Sequence, residues 1–407
     1  ALLVASHAAL AAAARPAAHR PHAATAAAAV AAAPAANWTL VPVQQAVLDL
    51  DLPAEQRWND ICAAFKSSGP LVEAYAVSAL SSFSAAELEV VEGVASAMKK
   101  GLLGKEAADE MAGCARAMGF PDAGLLTLLN LSLMLRRLGG GPHNTTGPLP
   151  EGLTRGGGIA CTSVVADGGD GSSCPTVHGR NLDWDLPNDL RNLTLAIDFQ
   201  RGGQTLFTSI GPAGFYGVLT GYKAGAFAVS VNERDLGGDP IEDLAKLLLL
   251  GKPDPTHALR DAMLSAASYD EALQTLSTVK LAAPVYYTIS GAARGQGAVL
   301  TRERDTSVEP MTLTTGGSYN RSWYALQTNY DHFVAAPAYD DRRRFGLRHM
   351  DEMGAQSGDV ATLDSMLDVI TAWPTRNDGT LMQAVMCPAS GEFRAYAAYF
   401  SGSAPTP

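Results

Sequence analysis

A cysteine that opens a β-rich run directly after a flexible stretch can support an unusual kind of nucleophilic chemistry. Cys161 stands in Ala160-Cys161-Thr162-Ser163, near the start of IACTSVVA at 159–166, behind the glycine- and proline-rich stretch GGGPHNTTGPLPEGLTRGGG at 139–158. If the Ala160–Cys161 peptide bond is broken, one residue carries both a thiol and a free α-amine. With an ordinary pKa of about 7.7–8.0, that amine can act as general base for its own thiol, and no histidine is required. On spacing alone the other fate of a single cysteine, a buried structural or disulfide-bonded one, stays open.

Other routes to catalysis leave no trace. The chain has no GxSxG elbow, Walker loop, HExxH pair or GxGxxG after a strand. Its eight histidines are scattered without metal-ligand spacing, and its five cysteines include no CxxC pair. The expectation is therefore hydrolysis by side chains, with no metal and no cofactor.

Polar clusters recur downstream. His178-Gly179-Arg180-Asn181-Leu182-Asp183-Trp184 lies on the run expected to return beside the Cys161 strand, which can bring Arg180 and Asp183 to the thiol. Then come Val231-Asn232-Glu233-Arg234, Thr328-Asn329-Tyr330-Asp331-His332 and Asp340-Asp341-Arg342-Arg343. In this order, with AVLDLDLPAEQRW from 46, LTLAIDFQ and GVLTGYKAGAFAVSVNERD, the motifs resemble the acid ceramidase and N-acylethanolamine acid amidase family of N-terminal-nucleophile hydrolases. The resemblance runs from about 46 to 386. The turn DGGDGSSCP is longer than is usual in that family, so Arg180 and Asp183 lie farther along the chain from Cys161. The 139–158 stretch is a second departure and bears on processing more than on chemistry.

The resemblance implies roles. Cys161 is the nucleophile and the new N-terminus after self-cleavage. Arg180 favours its thiolate, Asp183 orients the α-ammonium, and Asn329 donates to the developing oxyanion. Glu233 and Arg342 form an ion-pairing layer around them, with His178 and Asp331 as structural neighbours. Plainer readings stand beside these: a surface salt bridge for Arg180, a turn cap for Asp183, an Asx-turn for Asn329, solvated strand-end charges for Glu233 and Arg342. The implied substrate is a long-chain N-acyl lipid, ceramide ahead of N-acylethanolamine. A catalytically inactive lipid-binding protein is the non-enzymatic alternative, and a penicillin or bile-salt amidase is another enzymatic one, disfavoured by the long region ahead of Cys161.

Positioning such residues takes an α+β fold. Strand patterns at 159–166 and 176–184 form a hairpin, and further strands are expected at 193–199, 204–209, 227–231, 285–290, 297–301, 323–328 and in a pair near 381–399. Helices are expected through 71–137 and at about 240–250, 256–278 and 359–372. The resemblance sharpens this to an αββα sandwich. Four segments follow: an alanine-rich signal or disordered start at 1–36, a helical α-subunit at 37–138, the linker with the cleavage site at 139–160, and the catalytic β-subunit at 161–407.

Composition supplies the setting. The 407 residues are 47% hydrophobic and 17% charged, enough apolar content for a large core. A net charge of −11 argues against nucleic acid as a partner. Sequons at Asn37, Asn130, Asn144, Asn192 and Asn320, with the apolar start, favour a lysosomal, vacuolar or secreted protein. The expected partners are the lipid amide, the α-subunit in a non-covalent heterodimer, and anionic membranes touched by the apolar helices of 71–137.

Overall fold

The computed structural model describes residues 37–80, 85–130, 160–184, 188–234, 247, 249, 251–314, 321–336 and 340–401. The alanine-rich start, the stretch at 139–158 and most of the helix expected over 240–250 lie outside the described residues.

Strands β1 (Asn37–Pro42) and β2 (Gln44–Asp49) come first, then helices α1 (Asn59–Ala64), α2 (Gly69–Leu80), α3 (Ala85–Lys99), α4 (Lys105–Met118) and α5 (Gly124–Asn130). The hairpin β3 (Ala160–Asp167) and β4 (Thr176–Asp183) is followed by α6 (Asn188–Arg191), β5 (Thr194–Arg201), β6 (Gln204–Pro212), β7 (Thr220–Lys223) and β8 (Phe227–Glu233). Next are α7 (Pro255–Ser265), α8 (Tyr269–Thr278), β9 (Val285–Gly291), β10 (Gly297–Arg302), β11 (Met311–Thr312) and β12 (Tyr324–Gln327). The chain finishes with α9 (Arg342–Ser357), α10 (Leu363–Thr371), β13 (Thr380–Cys387) and β14 (Glu392–Ser401).

Two sheets result, six strands in the order β1-β14-β13-β4-β3-β12 and eight in the order β11-β10-β9-β8-β7-β6-β5-β2. Helices α9 and α10 cover the first, α7 and α8 the second, and the sheets face each other through β3, β4, β8, β9 and β10. This is the layered helix–sheet–sheet–helix arrangement expected of the chain.

Strand periodicity decides which side chains meet the inter-sheet space, because successive residues point to opposite faces. On β3, Ser163 and Val165 turn towards the second sheet, where Ser163 bonds Asn232 and Val165 joins Tyr286 and Val299. Cys161 shares their parity. Val164 and Ala166 turn the other way, into an apolar cluster with Met366, Val369 and Ile370 of α10. That helix starts at a Thr362–Ser365 capping box, which satisfies N-terminal N–H groups that would otherwise lack partners. It lies so close to β4 that a Cβ at Gly179 would fall 2.7 Å from the Met366 side chain. Glycine at that position lets Arg180 and His178 face inward from a strand pressed against a helix.

The structure adds elements the patterning did not give. Residues 37–49, expected to belong to a helical segment, form strands that extend both sheets, β1 antiparallel to β14 and β2 parallel to β5. The helix expected over 256–278 is two, because Ser268 caps a second start by accepting from the Glu271 N–H. Helix α9 was not expected at all: its RRRFGLRHMDEMGAQS is polar on nearly every face and packs through two glycines, Gly346 on Leu326 and Gly354 on Trp323.

Candidate active site

Cys161 is wholly buried at the second residue of β3, and it is the free cysteine; the other four pair as Cys62–Cys114 and Cys174–Cys387. Both ends of its main chain are held. Its N–H donates to Asn329 Oδ1 at 2.8 Å, and its carbonyl accepts from Arg342 Nη1 at 3.0 Å. Its Sγ lies 3.8 Å from the Val231 carbonyl oxygen, which also accepts from Arg180 Nη2 at 2.7 Å. Thiol and guanidinium thus gather at one point on the facing strand β8.

Arg180 reaches there because β3 and β4 pair with Ser163 opposite Arg180, so Arg180 is the diagonal neighbour of Cys161 on the same face. Its Nη1 donates to Asn232 Oδ1 at 2.6 Å and to Ser163 Oγ at 3.3 Å. Asn232 is fixed in turn by donating Nδ2 to the carbonyls of Gln327 and Thr328 at 2.9 and 3.2 Å. Burial pushes the Cys161 thiol up from its ordinary range; Arg180, by its charge and a hydrogen bond, pulls it down, Asp183 pushes it up, and Arg342 pulls it down.

Arg342, at the first turn of α9, is the hub. It donates to Asp183 Oδ2 and to Asn329 Oδ1 at 3.0 Å each, and its Nε donates to Asp340 Oδ1 at 2.6 Å while Nη2 also reaches Asp340. Burial would lower its pKa, but Asp340 and Asp183 hold it above the ordinary value. Asp183 is pushed up by burial and opposed by Arg342, by Thr380 Oγ1 at 2.7 Å and by Asn377 Nδ2 at 2.9 Å. The Asn329 orientation follows from its partners: two donors meet Oδ1, and Nδ2 donates to the Glu233 carbonyl at 2.9 Å.

Five of the six expected side chains therefore converge, by different routes, and Glu233 contributes its main chain. Cys161, Asp183, Asn329 and Arg342 form one hydrogen-bonded cluster, and Arg180 lies beside the thiol behind it. Glu233 enters by its main-chain carbonyl, while the ion pairs of Arg342 are with Asp183 and Asp340. His178 sits between Ser290 at 3.1 Å and Ser230 at 2.8 Å, its pKa lowered to about 3 by burial and Arg180, so its imidazole stays neutral in mild acid. Asp331 ties Arg234 and Tyr286, as a structural neighbour.

Sequence reasoning missed Ser163 and Asn232, which seat Arg180, and Asn377 and Thr380, which seat Asp183. Asn377-Asp378-Gly379 has turn composition ahead of a strand, but composition does not say that its first side chain turns back onto a carboxylate. Asn329 touches the Cys161 amide directly, so Asn329→Ala is expected to lower kcat on the order of 10²-fold with KM changed only a few-fold. Steady-state kinetics of the variant check this; a loss confined to KM contradicts it.

No protein-family model matches the chain. It is 31% identical to the Caenorhabditis elegans N-acylethanolamine-hydrolyzing acid amidase over 231 residues, 57% of this chain and 62% of that protein. It is 32% identical to Homo sapiens acid ceramidase over 253 residues, 58% of this chain and 61% of that one. With Mus musculus acid ceramidase the identity is 28% over 374 residues, 87% and 86% of the two chains. The chain spans about three fifths of the length of the first of these curated relatives. Among solved structures it resembles the Caenorhabditis elegans N-acylethanolamine-hydrolyzing acid amidase ortholog, with a TM-score of 0.50 and 28% identity over 60% of this chain and all of that one.

Proposed function

We propose that this chain, similar to acid ceramidases and N-acylethanolamine-hydrolyzing acid amidases, cuts itself before Cys161 and then hydrolyses the amide bond of long-chain N-acyl lipids, ceramide ahead of N-acylethanolamines. The observation that carries this reading is the placing of Cys161: the free thiol of the chain, buried, with its own amide N–H on Asn329 and its carbonyl on Arg342. Ceramide is put first because a match over 87% of the chain is to an acid ceramidase.

The first reaction is intramolecular. The Cys161 thiol attacks the Ala160 carbonyl, the Ala160–Cys161 C–N bond breaks, and the nitrogen takes a proton and becomes the α-amine. Water then hydrolyses the Ala160 thioester, leaving a carboxylate on Ala160 and a free thiol on Cys161. In the second reaction the thiolate attacks the lipid amide carbonyl, and Asn329, whose Nδ2 gives one proton to the Glu233 carbonyl, offers the other to the oxyanion. The ammonium protonates the departing sphingoid or ethanolamine nitrogen, and water releases the fatty acid from the thioester. Burial pushes the Cys161 thiol up and Arg180 draws it back towards the thiolate, Asp183 orients the ammonium, and His178 takes no part because it stays neutral. The helical segment ahead of Cys161 is the α-subunit and residues 161–407 the β-subunit of a non-covalent heterodimer.

Mature protein should give a fragment of about 26 kDa before glycan addition, with Cys161 as its first residue. It should release fatty acid from ceramide or palmitoylethanolamide best between about pH 4 and 6, and faster with anionic vesicles. Among the described residues no helix is long and apolar enough to cross a membrane. Lipid contact is assigned to the surface of the helical segment, in a lysosome, a vacuole or outside the cell. N-terminal sequencing and a pH–rate profile on both substrates test this. An active chain that stays whole rejects the self-cleavage, and an optimum above about pH 8 without a lipid effect rejects the acidic compartment.

A further inference from the structure

We infer that the turn at 213–217 is the dock by which the segments ahead of and behind Cys161 hold each other once the chain is cut, with Asn130 and Glu110 as its specific anchors; this rests on the self-cleavage proposed above. Each disulfide lies on one side of the boundary and Cys161 is the remaining cysteine, so a cut before it leaves no covalent link. The edge strands β1 and β2 and the apolar core cross the boundary. So do two buried polar contacts, both centred on this turn.

The turn projects into the helices. Gly214 has a φ of +77°, and a Cβ there would lie 3.0 Å from Cys114 Sγ and 3.4 Å from a Leu126 methyl. Asn130, at the end of α5 and 1% exposed, grips the turn as a paired strand would. Its Nδ2 donates to the Gly214 carbonyl at 3.0 Å and to that of Leu126 at 2.8 Å, while its Oδ1 accepts from the Tyr216 N–H at 2.5 Å. Asn130 also heads the sequon Asn130-Leu131-Ser132. Both ends of its amide are used inside the protein, so this sequon serves as a dock and carries no sugar.

The second contact grips the same turn from the side of α7. Arg260 donates to the Tyr216 carbonyl at 3.0 Å, lies 3.8 Å from the centre of the Tyr216 ring, and forks onto Glu110 of α4 at 2.8 and 2.9 Å. Arg57 at 2.9 Å and Trp58 Nε1 at 2.7 Å complete the Glu110 carboxylate. Glu110 is fully buried and Arg260 1% exposed, so parting the fragments exposes a charge pair matched in geometry. The turn also reaches the site: Phe215 meets Trp184 edge-on at 6.1 Å, and Trp184 follows Asp183 and donates to the Tyr75 hydroxyl of α2 at 3.0 Å. The N-terminal fragment thereby stays as a working part of the enzyme.

The test uses the full chain in two forms: the natural sequence, and one with a site-specific protease site placed within 139–158, whose cut does not depend on Cys161. After cutting, dilution and size-exclusion chromatography over time read the rate at which the fragments part. Wild-type fragments should co-elute. Asn130→Ala should raise the parting rate on the order of tenfold, and Glu110→Gln a hundredfold or more, because it strands Arg260. The double variant Glu110→Gln/Arg260→Met, which removes both charges, should part more slowly than Glu110→Gln alone. Thermal unfolding of the uncut variants checks folding, and Asn130→Asp, which keeps the acceptor for Tyr216 and loses the donor, carries the test if the others fail to fold. Peptide mass spectrometry of protein from a secretory host should find Asn130 unmodified. Wild-type fragments that part freely, variants that hold as tightly as wild type, or a glycan on Asn130 overturn the proposal. A natural chain that never cuts overturns the self-cleavage reading, and the dock is then judged in the protease-site form.

Discussion

Cys161→Ala is expected to yield one uncut chain of 42.4 kDa, before any glycan, that hydrolyses no N-acyl lipid. In the proposed mechanism one sulfur performs both acyl transfers, the first from Ala160 and the second from the lipid, so both products should vanish together. The other four cysteines are bonded to each other and supply no substitute thiol. The change removes one sulfur atom from a buried position and leaves the main-chain bonds to Asn329 and Arg342 in place. The variant should therefore fold, and its melting temperature should stay near that of the wild-type precursor. A gel, an activity assay and a melting curve on one preparation decide the matter. Cleavage retained without the thiol contradicts the mechanism, and a collapsed fold makes Cys161 a structural residue.

The thiol's position was legible in the sequence for a physical reason. A strand that starts after a glycine-rich stretch and returns through DGGDGSSCP fixes a hairpin, and hairpin parity puts Arg180 on the face that carries Ser163. What pairing could not give was the far side of the site. Asp340 and Arg342 arrive from the start of α9, whose charged sequence carries almost no helical periodicity. Asn377 and Thr380 arrive from a turn that looks like any other. Strands β1 and β2 escaped for a different reason: they are short edge additions whose outward residues face solvent, so alternation is weak. Asn130 carries a role that its sequon does not announce. Its sequon counts among the five that favour a secretory route, and in the folded chain the same amide, at 1% exposure, bonds the turn at 213–217.

Arg342→Met is expected to lower turnover by about 10³-fold or more, because one guanidinium holds the Cys161 carbonyl, the Asn329 side chain and the Asp183 carboxylate in register. It should also weaken the fold. Breaking a buried ion pair by removing one partner costs about 3–5 kcal/mol, and the side chains of Arg342, Asp183 and Asp340 are only 7, 2 and 14% exposed. The pH dependence carries a sign that a general packing defect would lack. Burial would raise Asp340, but the charge and hydrogen bonds of Arg342 hold its carboxyl below the ordinary value of 3.8. A depressed carboxylate adds stability above its unfolded pKa and loses it as pH falls through the folded one. Without Arg342 the depression disappears and burial lifts the carboxyl instead, so the variant forfeits that stability at neutral pH and much less of it in strong acid. The gap in melting temperature between wild type and Arg342→Met should therefore be widest near pH 7 and narrow as pH falls towards 3.5, the region of an ordinary aspartate pKa. Arg342→Lys should recover part of the stability, as a point charge, and little of the turnover, because it cannot fork onto several acceptors at once. A melting gap that stays constant from pH 7 to 3.5, or a lysine variant with full turnover, would remove Arg342 from the centre of the site.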